Sequence, residues 1–233
     1  NNMIYEYDFL NSNQLRQFVS IFDSGRYVDG GISGPKEKDK KDNTQQEDPE
    51  LNKMMNTSIA KFLRTSFISD LHPLNKVSPC LMLKYEEGQH YADHVDFWKM
   101  NGIRTDYTAV ILLNDDFEGG EHFIKIGEET IEKKLEPGRI LFYPSDYIHG
   151  VRPVTSGVRK CVTFWMESSI PDPAMRYYIT ELNKVHTKLV EHFDLTEFEG
   201  GTDVFGIKTN RDILTALDQV VCGITKRSTL MRN

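Results

Sequence analysis

The sequence predicts a mainly β fold, a sandwich or jelly roll, flanked by helices on both sides. Three observations predict it. Between residues 77 and 170, short runs of β-branched and aromatic residues follow one another, each closed by turn formers. On either side of that stretch, apolar residues recur at helical spacing instead. No apolar run reaches the roughly 18 residues of a membrane span.

Taken in order, residues 12–22 carry Leu15, Phe18, Val19 and Phe22 on one helical face, with Asn11 or Ser12 as the N-cap. Residues 30–50 turn polar, with Gly30-Gly31, Gly34-Pro35 and a charged run, and read as a loop. That loop is either a solvated excursion or a lid over a site. A second helix is expected over 49–69, with Ile59, Phe62, Leu63 and Phe67 as its buried stripe. Strands are expected at 80–85, 107–113, 122–126, 130–135, 139–143, 149–154 and 158–166. Gly88, Asn114-Asp115-Asp116, Gly119-Gly120, Pro137-Gly138 and Ser156-Gly157 separate them. After Ile170 the period changes. Asp172 caps and Pro173 opens a helix with Met175, Tyr178, Ile179, Leu182, Val185, Leu189 and Phe193 on one face, and a shorter helix covers 211–221. The organisation expected is an N-terminal helical and loop segment (1–76) packing on a β core (77–170), then a C-terminal helical extension (171–233).

Composition excludes some function classes. With 35 acidic against 28 basic residues the formal charge is −7, which argues against a broad nucleic-acid-binding face. Cys80, Cys161 and Cys222 are odd in number and lack a CxxC spacing, so they read as reduced thiols, not a disulfide frame or zinc site. The first residues show no basic region followed by an apolar stretch. A cytoplasmic location, with no membrane and no nucleic-acid partner, is the expectation.

The chemistry sits in the β region. His94-Val95-Asp96 puts two ligand-type side chains two residues apart, on one face if the segment is a strand. Alone, this pair could equally be a surface histidine beside an aspartate. His149, at the start of a predicted strand, completes a two-histidine, one-carboxylate set. That set holds Fe(II) on one face and leaves three positions open for a chelating cosubstrate and dioxygen. If Thr155-Ser156-Gly157 is a three-residue hairpin loop, Val154 pairs with Val158, His149 faces Thr163 and Pro153 faces Arg159. Arg159, Cys161, Thr163 and Trp165 then share the face of His149. Arg159 lies roughly 13 Å beyond the metal level at about 3.3 Å per residue, a depth at which a guanidinium could clamp the far carboxylate of a five-carbon diacid. Trp165 would wall a substrate pocket. Tyr85, brought round by a turn at Gly88, is either a cavity hydroxyl or a core tyrosine. Tyr91 reads as packing. His90 and His122 lack a partner at ligand spacing, and His72, His186 and His192 read as surface or packing residues.

These residues resemble the Fe(II)/2-oxoglutarate-dependent dioxygenases, in the prolyl-4-hydroxylase-like branch. The pattern is His94, Asp96 and His149 with a basic residue ten positions later, Arg159, and Trp165 six beyond it. Nucleic-acid demethylases of this superfamily carry a second arginine where this chain has Trp165. Within the branch, the chain is most similar to PKHD-type hydroxylases. Arg104-Thr105-Asp106, Gly119-Gly120-Glu121, Tyr143-Pro144-Ser145 and the run from Arg152 to Arg159 carry that likeness. The resemblance implies a double-stranded β-helix (jelly roll) core that uses Fe(II), 2-oxoglutarate and O2, with ascorbate as an auxiliary reductant, and releases succinate and CO2. It implies His94, Asp96 and His149 as iron ligands and Arg159, Tyr85 and Thr163 at the cosubstrate. Trp165 and Arg104 are the substrate-pocket candidates. No catalytic group beyond the metal centre is implied. The substrate implied is a peptidyl proline of a peptide or protein. The alternatives are the same chemistry on a free amino acid or other small molecule, or a non-catalytic metal-binding β-barrel module. Leu112 stands where related prolyl hydroxylases have a second tyrosine.

Overall fold

The computed structural model describes residues 3–33, 40–192 and 210–229. The chain divides into two compact units, one of residues 1–65 and 75–167, the other of residues 66–74 and 168–233.

In the first unit, β1 (Tyr5–Asp8) precedes α1 (Ser12–Asp23), then β2 (Tyr27–Asp29), a 3-10 turn (Gly30–Ser33), β3 (Lys41–Asp42) and β4 (Thr44–Gln46). Helix α2 (Pro49–Arg64) follows. In the second unit, α3 (Phe67–Leu71) is a single short helix. The β region then runs through β5 (Leu74–Val77), β6 (Leu81–Tyr85), β7 (His90–His94), β8 (Lys99–Met100), β9 (Ile103–Arg104) and β10 (Tyr107–Leu112). It continues through β11 (Phe117–Gly119), β12 (His122–Ile126), β13 (Glu129–Lys133), β14 (Arg139–Pro144), β15 (Ile148–Val151), β16 (Val154–Gly157) and β17 (Arg159–Ser168). Helices α4 (Pro173–His192) and α5 (Asn210–Ser228) close the chain.

Two antiparallel sheets form the jelly roll. The larger has the order β1-β14-β10-β17-β6-β4-β2, with β5 as its eighth strand beside that path. The smaller has the order β13-β12-β15-β7-β3. Strand β10 lies between β14 and β17, and all six of its residues are buried, as expected for an interior strand covered on both faces. Leu83, Tyr85, Val110, Leu141, Tyr143, Val151 and Cys161 belong to one apolar cluster that draws on both sheets. At Gly88 the backbone between β6 and β7 adopts φ +84, the left-handed conformation that glycine enters without a Cβ penalty.

Local signals explain the helices. Asn11, not Ser12, caps α1: its side chain accepts from Gln14 N–H at 2.9 Å and Gln14 returns a bond to Asn11 N–H at 2.9 Å, a capping box. Asp48 caps α2. The expected 49–69 helix is two helices, because Thr65 ends α2 and Ser66 is extended. Phe67 is consequently exposed, not part of a buried stripe. In the second unit, Asp172 Oδ1 accepts from Met175 N–H at 2.8 Å, as the cap expected of α4. The buried side of α4 carries Arg176, Ile179 and Thr180, and Tyr178 and Val185 of the expected stripe are exposed. Phe193 lies outside the described residues. His72 is buried there against Thr180, and burial pulls its imidazole down to about 3. His186 pairs with Asp218 at 2.8 Å. None of the described helices is long and apolar enough to cross a membrane.

Two further expectations need correction. The described residues of 30–50 are not a bare loop: β3 pairs with β7 as an edge of the small sheet, and β4 joins the large sheet between β6 and β2. Backbone pairing decided this, and polar side chains tolerate it at an edge. The hairpin centred on Thr155-Ser156-Gly157 does not exist. The expected 149–154 strand splits: β15 pairs with β12 and β7 in the small sheet, whereas β16 pairs with β11. Strand β17 pairs with β10 and β6 in the large sheet. His149 and Arg159 therefore stand on different sheets. Strand β1 also lay outside the sequence reading.

Phe142 is fully buried on β14 and packs against Tyr5 at 5.2 Å and edge-on to Tyr107 at 5.5 Å between ring centroids. Phe142→Ala removes that body and leaves a cavity, so it is expected to cost about 3–5 kcal/mol of unfolding free energy. Urea unfolding followed by far-UV circular dichroism checks this. A loss under about 1 kcal/mol would mean that the β1–β14–β10 layer repacks freely.

Candidate active site

Between the sheets of the first unit lies a cavity of about 370 Å³. Strands β6, β10, β14 and β17 supply Tyr85, Thr108, Tyr143 and Arg159 to it; β3, β7, β12 and β15 supply Lys41, His94, His122 and His149. Among the described residues, His94, Asp96 and His149 are the one group of three or more His, Cys, Asp or Glu that could hold a metal, with ligating atoms within 4.8 Å of one another.

The sequence positions each ligand differently. His94 ends β7 and is paired directly with His149 of β15. Asp96 is not in a strand; it follows β7 and is held by its N–H donating to Ser145 O at 3.1 Å. Gly150 beside His149 has no room for a Cβ, which would lie 2.4 Å from Tyr91 O and 2.5 Å from the Phe123 ring. Only glycine lets β15 approach β7 this closely.

Both imidazoles are oriented by a backbone carbonyl two residues earlier in the chain. His94 Nδ1 lies 2.9 Å from Ala92 O and His149 Nδ1 lies 2.8 Å from Tyr147 O. A carbonyl can only accept, so Nδ1 carries the hydrogen and the Nε2 lone pair is left for a metal. His94 Nε2 stands 3.8 Å from Asp96 Oδ1, and His149 Nε2 stands 3.4 Å from Asp96 Oδ2. Trp165 Nε1–H donates to Asp96 Oδ2 at 2.8 Å and Thr108 Oγ1 donates to the same oxygen. Burial pushes the Asp96 carboxyl up, but the neighbouring His149, His94 and Thr108 outweigh it and hold it well below the usual carboxylate range. The three donors fit a divalent cation: two neutral imidazole nitrogens and one ionised carboxylate, with the remaining sides open to the cavity.

Arg159 is only 2% exposed. Its guanidinium lies 5.3 Å above the Tyr85 ring, donates to Cys161 Sγ at 2.9 Å, and has no carboxylate of the described residues within ion-pair distance. A buried cation without an acid partner is costly unless a ligand supplies the anion. Arg159, Cys161, Thr163 and Trp165 alternate along β17 and all line the cavity, as expected of one strand face, although the hairpin behind that expectation is absent. From Trp165 at the metal ligand to Arg159 is six residues, roughly 20 Å of strand. The long side chains at each end reach into that span.

Tyr85 lines the cavity beneath Arg159. Thr163 lines it too. Trp165 is more than a wall, since its indole N–H anchors a metal ligand. Arg104 does not line the cavity: its guanidinium bonds both carboxylate oxygens of Asp106 at 2.8 and 2.7 Å. Three more groups stand in the cavity: His122, read from the sequence as lacking a partner at ligand spacing, Tyr91, read as packing, and Lys41, which the sequence reading did not single out. His122 packs 5.9 Å from the His149 ring and meets Tyr143 Oη at 2.7 Å through Nε2. Burial above all, with the Arg159 guanidinium nearby, holds its imidazole well below the ordinary range, so it is neutral. Alternation in β12 opposite β15 was the available signal. Tyr91 stacks on His94 at 3.6 Å. Lys41 is buried at the cavity edge, and nothing marks it within a run of surface-like lysines.

Trp165→Phe keeps the ring and removes the bond to Asp96, so it is expected to weaken divalent-metal binding about 10–100-fold. Titration calorimetry with Co(II) measures it. Unchanged affinity would mean that Thr108 alone holds the carboxylate.

The family model of the 2OG-Fe(II) oxygenase superfamily matches residues 80–167, which include all three donors and Arg159. A PKHD-type hydroxylase of Sphingopyxis alaskensis is 32% identical over 184 residues, spanning 76% of this chain and 84% of the relative. Among solved structures, a prolyl-4-hydroxylase of Pseudomonas putida shares the fold with a TM-score of 0.54 and 16% identity, over 72% of this chain and 94% of that one. A prolyl hydroxylase of Trichoplax adhaerens, solved with a peptide fragment of the oxygen degradation domain of hypoxia inducible factor, superposes with a TM-score of 0.54 and 17% identity, over 72% of this chain and 84% of that one. A jelly roll with this donor set, and a relative this similar over most of both chains, place the protein among the 2-oxoglutarate- and Fe(II)-dependent oxygenases, as a member of the PKHD-type hydroxylases.

Proposed function

We propose that this hydroxylase acts on a peptidyl proline, with iron held by His94, Asp96 and His149 and 2-oxoglutarate held at its far end by Arg159. The observation that carries the reading is a single cavity joining a two-histidine, one-carboxylate set to a buried guanidinium that lacks an acid partner. The reaction balances as substrate C–H, 2-oxoglutarate and O2 going to substrate C–OH, succinate and CO2. Bound Fe(II) supplies the oxidising chemistry, one oxygen atom entering succinate and the other the new hydroxyl.

The chain's own residues bind, orient and shield. Trp165 and Thr108 fix the carboxylate of Asp96, and the Ala92 and Tyr147 carbonyls fix the two rings, so the donors are arranged before the metal arrives. Arg159 offers a planar fork that matches a carboxylate, with Tyr85 beneath it and Thr163 on the same strand face. Leu81, Leu83, Val110 and Val151 line the cavity with apolar surface, which limits water around a reactive centre. The exposed side chains of Val95, Phe97 and Trp98 flank Asp96 and offer apolar contact to a substrate's flanks. The peptide complex of the Trichoplax adhaerens enzyme, which shares this fold, supports a peptide as that substrate.

His149→Ala is expected to lower 2-oxoglutarate decarboxylation at least about a hundredfold, since removing a ligand must exceed the loss of its supporting bonds. Succinate release at matched Fe(II) measures this, and retained turnover would contradict the assigned ligands. Arg159→Met is expected to raise the KM for 2-oxoglutarate about 10–100-fold while the Fe(II) requirement moves less than about threefold, because one charge-assisted contact is lost. An unchanged KM would remove Arg159 from the cosubstrate site. The proline assignment is tested by incubation with proline-containing peptides. Substrate-stimulated succinate together with a mass gain of one oxygen supports it; stimulation only by free amino acids moves the chemistry to a small molecule.

A further inference from the structure

Lys41 is a second buried cation in the cavity. Residues on β3, an edge strand of two residues, seldom bury an ammonium, yet Lys41 is 7% exposed. Its Nζ donates to Ser33 Oγ at 2.7 Å and lies 5.8 Å above the Tyr91 ring, which also stacks at 3.6 Å on the ring of His94. No carboxylate of the described residues reaches it within ion-pair distance. One neutral hydroxyl and one aromatic face leave part of a three-donor ammonium unsatisfied. Burial pulls the group down to about 8, with Asp96 and Asp29 opposing from farther off, so it is charged at neutral pH.

Charge balance in the cavity assigns the remainder. On the dioxygenase reading, a divalent metal, Arg159 and Lys41 bring four positive charges to one enclosed space. Asp96 is the one carboxylate lining the cavity among the described residues, and a dianionic cosubstrate adds two more negative charges. One positive charge is left over, and a buried net charge is strongly disfavoured. Arg159 and the metal use both ends of the cosubstrate. Among the described residues, the ammonium of Lys41 is the group without a counterpart.

We propose that Lys41 is a specificity-determining residue whose ammonium, presented beside Tyr91 and Ser33, receives a carboxylate of the substrate. The substrate class is therefore acidic: either a peptide with an aspartate or glutamate near the target residue, or an amino acid presenting its own carboxylate. The exposed apolar side chains of Val95 and Phe97, which line the cavity beside Asp96, receive the rest of it. The inference rests on the dioxygenase reading for its charge balance and deepens it by naming the substrate's chemistry.

The test separates the two. The full chain is loaded with Zn(II) and 2-oxoglutarate, which permits no turnover, and binding is followed by tryptophan fluorescence, Trp165 lining the cavity and Trp98 lying two residues from Asp96. The probes are blocked proline tetrapeptides with glutamate, glutamine or lysine before the proline, and L-proline against L-prolinamide. The expected result is that one carboxylate probe binds about tenfold tighter than its neutral partner, the size of one charge-assisted hydrogen bond. Whether the peptide pair or the proline pair shows the preference identifies the source of the carboxylate. Lys41→Met should erase the preference, Lys41→Arg should restore it, and Lys41→Glu should turn it toward the lysyl peptide. Equal binding of charged and neutral probes, a preference that survives Lys41→Met, or no binding of any probe overturns the proposal. So does a Lys41→Met effect seen only as a raised 2-oxoglutarate requirement, which would assign the ammonium to the cosubstrate. Succinate release by the Fe(II)-loaded wild-type chain is measured in parallel. Its absence would sink the enzymatic reading, whereas the charge preference is read without it.

Discussion

The second carboxylate oxygen of Asp96 is the point on which the site depends. It accepts from Trp165 Nε1 on β17 and from Thr108 on β10, both in the large sheet, and faces His149 on β15 of the small sheet. The residue itself sits in the segment after β7, tied to Ser145 by its backbone. One buried anion thus gathers groups from both sheets. A carboxylate in such a place is tolerable only because every neighbour is a donor or a cation in waiting. The same arrangement that satisfies the anion leaves its free lone pairs and two imidazole nitrogens converging on one position. Structural need and metal affinity are the same arrangement here.

The rest of the cavity follows from what a jelly roll can do. Two sheets that splay apart leave an interior reached by alternate residues of many strands, so groups distant in sequence share a small volume. Most of those positions are apolar and make the core. A few are cations, Arg159 and Lys41, whose burial is disfavoured unless an anion stands beside them. His122 and Tyr143, fully buried and hydrogen-bonded to each other, complete a polar patch behind His149 without adding charge.

Much of this was readable beforehand, and the misses share a cause. Short β-branched and aromatic runs closed by turn formers placed β6, β10, β12, β14 and most of β17 to within a residue or two, because strands of a buried core draw on those residue types. His94, Asp96 and His149 could be picked out by residue type and spacing. Pairing was a different matter. The hairpin drawn around Thr155-Ser156-Gly157 put Arg159 into the cavity for the wrong reason: turn chemistry was read as if consecutive strands must pair, whereas here β15, β16 and β17 find partners in three different sheets. Lys41 was missed because a two-residue edge strand has no periodicity to detect.

By itself, then, the sequence determined the β-rich core, the caps of α1 and α4, the candidate ligand set and the alternation that puts Arg159, Cys161, Thr163 and Trp165 on one strand face. These depend on side-chain chemistry and on periods of two or 3.6 residues, which are local and survive without knowledge of the partner strand. Tertiary structure decided which sheet each strand joined and that Arg104 would be spent on Asp106. It also decided that Trp165 would hold Asp96 and that a lysine from a polar run would be drawn under cover beside Tyr91. Those outcomes are set by long-range hydrogen-bond pairing and by the volume left between two sheets. A linear pattern carries neither quantity, because both are properties of segments tens of residues apart meeting in space.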